Sequence, residues 1–184
     1  MTHYGGHDLA RSFLTVRKNT IKIAEEIPEE HYAFRAAPDT RTVAQTLAHI
    51  AFGPMWADQF HSVERRTTMV GFDFPGFFSK IIAEEHKPRS KAELLSLLQS
   101  DGDRLAKWMD GLSDDFLAET VTFAPGMTPP GKSRFEMILG LKEHEMHHRA
   151  QLMLMQRLLG IVPHMTREMQ ARMAQMQATK ASAS

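Results

Sequence analysis

Between Ser133 and Gly160 the buried-face positions recur at alternating steps of three and four: Ile138, Leu141, Glu145, His148, Leu152, Met155 and Leu159. That spacing commits the stretch to one long amphipathic α-helix with a face in a core. Both ends are marked locally. Ser133 and Glu136 have the spacing of a capping box, and Gly160 is the residue expected just past a helix end.

Three further stretches show the same period. Leu9, Phe13, Val16, Thr20, Ile23 and Ile27 follow Asp8, read as an N-cap, and stop before Pro28. A second helix is predicted from near Thr42, with Val43, Leu47 and Ile50 on one face and His49 beside them; Pro54 predicts a break about one turn after His49. Ser90 with Glu93 opens a third stripe, Leu94, Leu98, Leu105 and Trp108, which runs to about Leu112 and is weakened locally by Gly102. Residues 66–90 read as a loop or short helix in which Phe72, Phe74, Phe77 and Phe78 crowd around Pro75 and Gly76, a flap over the core or a lid lining a substrate site. Residues 113–132 read as a long, partly extended loop with strand character around Thr120 to Phe123. Beyond Gly160, Met165, Met169, Met173 and Met176 recur at near-helical spacing, predicting a short helix and frayed tail that packs on the protein's own core or on a second subunit. The division expected is one domain over 1–164 and a Met-rich helix and tail over 165–184.

A chain of 184 residues with 42% hydrophobic and 24% charged residues can bury a full core as one globular domain. Its 22 basic and 22 acidic residues cancel, so neither a nucleic-acid nor an anionic-membrane surface has electrostatic support. No run approaches the roughly 18 apolar residues of a membrane span. The opening MTHYGGHDLARSF lacks a basic segment followed by an apolar one, and a cytoplasmic location is expected. With no cysteine, the chain has no disulfide, thiolate ligand or thiol nucleophile of its own.

Chemistry concentrates in His144-Glu145-Met146-His147-His148. Histidines four apart lie about 40° apart around a helix and about 6 Å along it, so both rings can turn toward one ion. His144 falls roughly 65° from the centre of the buried stripe and His147 roughly 125° away, which leaves His144 and His148 as the ligand pair and turns His147 outward. Two imidazoles make a weak site, so a third residue decides the chemistry. By its letters the run matches HExxH, the zinc-hydrolase motif in which the glutamate is a general base, with Glu168 downstream as a third ligand. The longer histidine form of that motif would need Gly in place of Gln151 and His in place of Leu154. A peptidase would also need an edge strand to align its substrate.

His49 in RTVAQTLAHI, preceded by FRAAPDT, together with His144, His148 and Gln151 in KEHEMHHRAQLMLMQRLLGI, resembles the DinB/YfiT-like superfamily of metal-binding four-helix bundles over most of residues 8–163. The resemblance implies an all-α, up-up-down-down bundle in which His49, His144 and His148 are the metal ligands. Three neutral imidazoles would leave a coordination position open, and nitrogen-rich ligation suits zinc or nickel. The resemblance further implies an enzyme that uses a low-molecular-weight thiol for S-transfer or isomerisation on a small molecule, acting as a homodimer; Trp56 and the Phe72 to Phe78 segment are a candidate lining for an apolar electrophile. A non-catalytic metal-binding or dimeric stress protein is the alternative. Glu145 can orient a ligand histidine, act as a catalytic base or pair with an arginine such as Arg149, the commonest structural use of such a residue; orientation is favoured over catalysis. His3 and His7 are read as lying in a loose terminus, and His31, His61, His86 and His164 as surface or capping residues.

Overall fold

The structure is a computed structural model that describes residues 4–182. Helices start where the sequence can cap them. Thr42 accepts the Gln45 N–H at the head of α2 (Val43–Phe52), Ser90 that of Glu93 at α5 (Lys91–Asp110), and Ser133 that of Glu136 at α7 (Arg134–Leu158). In each, the third residue's side chain returns to the capping residue's own N–H. α1 (Gly6–Glu26) begins earlier than predicted: Gly5 is the N-cap, and Asp8 reaches back to the Gly5 N–H. His7 therefore lies in α1, 2.7 Å from Asp110, and not in a loose terminus. His3 lies outside the described residues.

The four bundle helices are α1, α2, α5 and α7, with α1 and α2 each lying against α5 and α7. Contacts at their ends fix the directions. Tyr4, just before α1, meets Phe135 at the start of α7, whereas Lys91 at the start of α5 donates to the Glu25 and Ile27 carbonyls at the far end of α1. Asp58, past the end of α2, pairs with Arg104 late in α5. The all-α four-helix bundle is the one expected, but α1 runs up, α2 and α5 down and α7 up, a correction to the two-up, two-down order. The connector at 27–42 simply reverses the chain, and the crossover needed between the parallel helices α2 and α5 is made by residues 53–90.

That crossover is more ordered than its proline and glycine suggested. Pro54 ends α2 as expected; α3 (Met55–Ala57) and a π-helical turn at Asp58–Val63 follow. α4 (Phe74–Glu85) then replaces the predicted loop or short helix with a helix of 12 residues. Asp73 caps it by accepting from Gly76, and Pro75 sits in the first turn, where its missing N–H has no bond to lose. Residues 113–132 are likewise structured: α6 (Asp114–Ala118) leads into β1 (Thr120–Thr122), antiparallel to β2 (Gly131–Ser133) with Thr120 opposite Ser133. Past Gly160, α8 (His164–Ser182) is longer than predicted, and Met169, Met173 and Met176 on it are each more than half exposed. None of the described helices is long and apolar enough to cross a membrane.

The core has two apolar clusters with a polar layer between them. Ile23, Ile27, Leu47, Ile50, Leu98, Leu152 and Met155 meet at one end; Leu9, Phe13, Leu105, Met109, Ile138 and Leu141 meet at the other. On α1, α5 and α7 the gap between clusters falls at Arg17, Gly102 and Glu145–His148. Phe72 joins a third, smaller group with Phe60, Val121 and Met137, so this part of the aromatic segment covers the core.

Candidate metal centre

The polar layer is where the three histidines converge. His49 enters from α2 and His144 and His148 from successive turns of α7. The His144 Nε2 lies 2.9 Å from the His49 Nε2 and 3.2 Å from the His148 Nε2. Among the described residues these three form the group able to share one ion, with one nitrogen from each ring within 4.8 Å of the others. Gly53, the C-cap of α2, makes room for the arrangement: a Cβ there would stand 3.0 Å from the His144 Cε1.

The outer ring nitrogens show which face of each ring carries a lone pair. The His49 Nδ1–H donates to Glu85 Oε1 at 2.6 Å, and the His148 Nδ1–H donates to Gln151 Oε1 at 2.9 Å. In the neutral tautomers that these bonds select, both Nε2 atoms are acceptors aimed at His144. One proton on the His144 Nε2 can be donated to only one of those acceptors and leaves the other without a donor. A cation between the rings satisfies all three nitrogens, so the residues present fit a divalent ion. Burial, reinforced by the charges of the neighbouring histidines and Arg41, holds the His144 pKa down to about 4. Burial does the same to His148, also to about 4, against an opposing hydrogen bond to Gln151. Both rings are neutral at neutral pH, the form in which imidazole ligates.

Glu85, the last residue of α4, is the site residue the sequence did not reveal. Its other oxygen accepts from the Arg41 Nε at 2.6 Å. Burial works to raise its pKa, but the hydrogen bonds and charges of His49 and Arg41 outweigh it and keep the carboxylate below the ordinary range. Glu85 and Gln151 also line a groove of about 860 Å³ with Arg35, Arg41, Gln45 and His86.

Of the three roles open to Glu145, the one observed is pairing with an arginine. Its two oxygens accept from the Arg17 Nε at 3.0 Å each, both side chains are 2% exposed, and Arg17 also donates to the Leu98 carbonyl at 2.6 Å. It orients no histidine, and its arginine comes from α1 rather than from Arg149. Gly102 admits this arginine, since a Cβ would fall 2.9 Å from the Arg17 Cγ. Glu168 is exposed on α8 beside α1 and stands outside the three-histidine group. His147 faces outward as predicted, with its Nε2 near Gln151. His61 and His164 are corrections, because both are buried. His61 accepts from Arg134 at 2.8 Å, and burial together with that guanidinium's charge lowers its pKa to about 4; His164 bonds Asn19.

In sequence, residues 12–152 match the model of the DinB superfamily. No curated protein matches the chain in sequence. Several solved structures share its fold, among them the following three. An uncharacterized protein from Clostridium difficile 630 superposes with a TM-score of 0.66 at 15% identity, over 85% of this chain and 98% of that one. YfiT from Bacillus subtilis, described as a probable metal-dependent hydrolase with an unusual four-helix bundle topology, gives 0.65 at 15%, over 88% and 91%. A protein from Streptococcus pneumoniae gives 0.66 at 16%, over 85% and 93%.

Proposed function

The chain belongs to the DinB superfamily, and we propose that it is a divalent-metal-dependent enzyme that uses a low-molecular-weight thiol for S-transfer or isomerisation at a His49, His144 and His148 centre. One observation carries the metal reading: three Nε2 atoms meet while the outer nitrogens of His49 and His148 are held by Glu85 and Gln151. Zinc or nickel bound there would supply Lewis acidity and favour the ionised form of a cosubstrate thiol. Without a cysteine in the chain, that thiol comes from a small molecule. The protein's own part is to fix ring orientation, to keep His144 and His148 unprotonated and to offer a small-molecule groove beside the centre. Glu145, spent on Arg17, moves no proton in this scheme.

Hydrolysis is the second reading, favoured by the likeness in fold to YfiT and its description. The two separate in one experiment. Protein of verified metal content is expected to accelerate conjugation of at least one of several small thiols with an electrophile, and chelation is expected to remove that rate. Turnover confined to ester or amide substrates would favour the hydrolase; background rates throughout would favour a non-catalytic metal-binding protein.

The same proposal has the protein acting in the cytoplasm on a small molecule, as a homodimer. Met169, Met173 and Met176 on α8 expose the apolar surface for pairing. Light scattering at roughly tens of micromolar is expected to give twice the mass of the chain, and a monomer mass would refute the dimer.

A further inference from the structure

We infer that Glu85 is the positioning residue of the metal centre and that Arg41 opposes it, so that the ion's affinity is set by an Arg41–Glu85–His49 chain reaching from the groove to the ring. The inference rests on the metal reading above and goes beyond it in naming residues outside the three ligands.

Geometry comes first. Glu85 is buried, and its Oε1 holds the His49 Nδ1–H at 2.6 Å while its Oε2 holds the Arg41 Nε at 2.6 Å. One carboxylate thus serves two donors: the ring, whose Nδ1–H becomes more acidic when its Nε2 ligates, and the guanidinium. Holding Nδ1–H fixes the tautomer, turns Nε2 inward and makes that nitrogen a stronger donor. Among the described residues, Glu85 also brings a buried carboxylate into contact with the three-histidine cluster. Arg41 works the other way. It lies partly open in the groove and shares the same carboxylate, so it withdraws electron density from Glu85 and adds positive charge near the ion.

Placement supports a role beyond pinning α4 to the bundle. α4 packs on α2, and Glu85 is its last residue, so the helix ends with its carboxylate on the ligand ring. A simple anchor for α4 would not need the imidazole. Glu85 and Gln151 both line the groove and hold the Nδ1 side of His49 and His148, so the groove is linked to the ligand rings through these two side chains.

Two substitutions of similar size to the native residues separate this role from a structural ion pair. Zinc affinity of folded Glu85→Gln, read by competition with a chromophoric chelator, is expected to fall roughly 10- to 100-fold, the usual cost of losing such a partner. Arg41→Met is expected to bind zinc as tightly as wild type or more tightly, because a repelling charge is gone. With cobalt in place of zinc, the visible absorption bands are expected to shift in Glu85→Gln. Wild-type affinity in Glu85→Gln overturns the inference, and so does equal weakening in both variants, the signature of a purely structural pair. A wild-type protein that binds no divalent ion overturns the metal reading itself. Should Glu85→Gln fail to fold, nitrogen NMR of zinc-loaded wild type still decides: His49 is expected to be protonated at Nδ1 and metal-bound at Nε2, and the reverse assignment overturns the inference.

Discussion

His49→Ala is expected to lose metal as completely as His144→Ala and His148→Ala. Each variant keeps two imidazoles and an incomplete site, and the loss should exceed the roughly 100-fold upper range for removing a mere hydrogen-bond partner of a ligand. The equality of the three is what the geometry requires, since each ring contributes one of the converging Nε2 atoms. His147→Ala and Glu168→Ala are expected to keep their metal, one facing outward and the other exposed on α8. The HExxH reading makes the opposite forecast, with Glu168→Ala emptying the site and His49→Ala leaving it full. Elemental analysis of desalted variants, with helicity checked by circular dichroism, measures all five. Full occupancy in His49→Ala would defeat the assignment.

The contrast between His144 and His49 shows what the sequence could reveal unaided. His144 and His148 are four apart on one helix, so their convergence is a local property that periodicity exposes. His49 comes from another helix, 95 residues from His144, and only the family resemblance joined it to the pair. Glu85 had neither signal. It lies 36 residues from His49, at the end of a segment whose Pro75 and Gly76 read as helix breakers, although a proline in a first turn breaks nothing.

Helix starts were legible for the same local reason. Thr42 with Gln45, Ser90 with Glu93 and Ser133 with Glu136 each satisfy backbone donors within one turn of their own chain. Helix directions were not, because they depend on which ends meet in space. Nor were His61 and His164: a buried histidine and an exposed one look alike until the arginine or asparagine that accompanies it is placed.

Glu145 is where the sequence suggested chemistry and the structure supplies stability. The stripe put it on the buried face, and HExxH gave that position a catalytic name. Buried at 2% exposure, its charge is instead matched by Arg17, equally buried, in the polar layer between the two apolar clusters. Glu145→Gln leaves the guanidinium with the Leu98 carbonyl but no opposing charge. Breaking a buried pair on one side costs about 3–5 kcal/mol, and Glu145→Gln is expected to lose about that much in urea denaturation of the metal-free protein. The melting temperature should fall with it, by roughly 2–4 °C per kcal/mol for a domain of this size. The double variant Arg17→Met, Glu145→Leu is expected to recover most of the loss, because no charge is then left unpaired. Folded Glu145→Gln should still bind zinc, since none of the three ligand rings is hydrogen-bonded to Glu145. A catalytic base would behave in the reverse manner, with wild-type stability and abolished turnover. Denaturation midpoint and metal content of the one variant therefore separate the roles, and a stability within about 1 kcal/mol of wild type would show that the pair does not hold the bundle as argued.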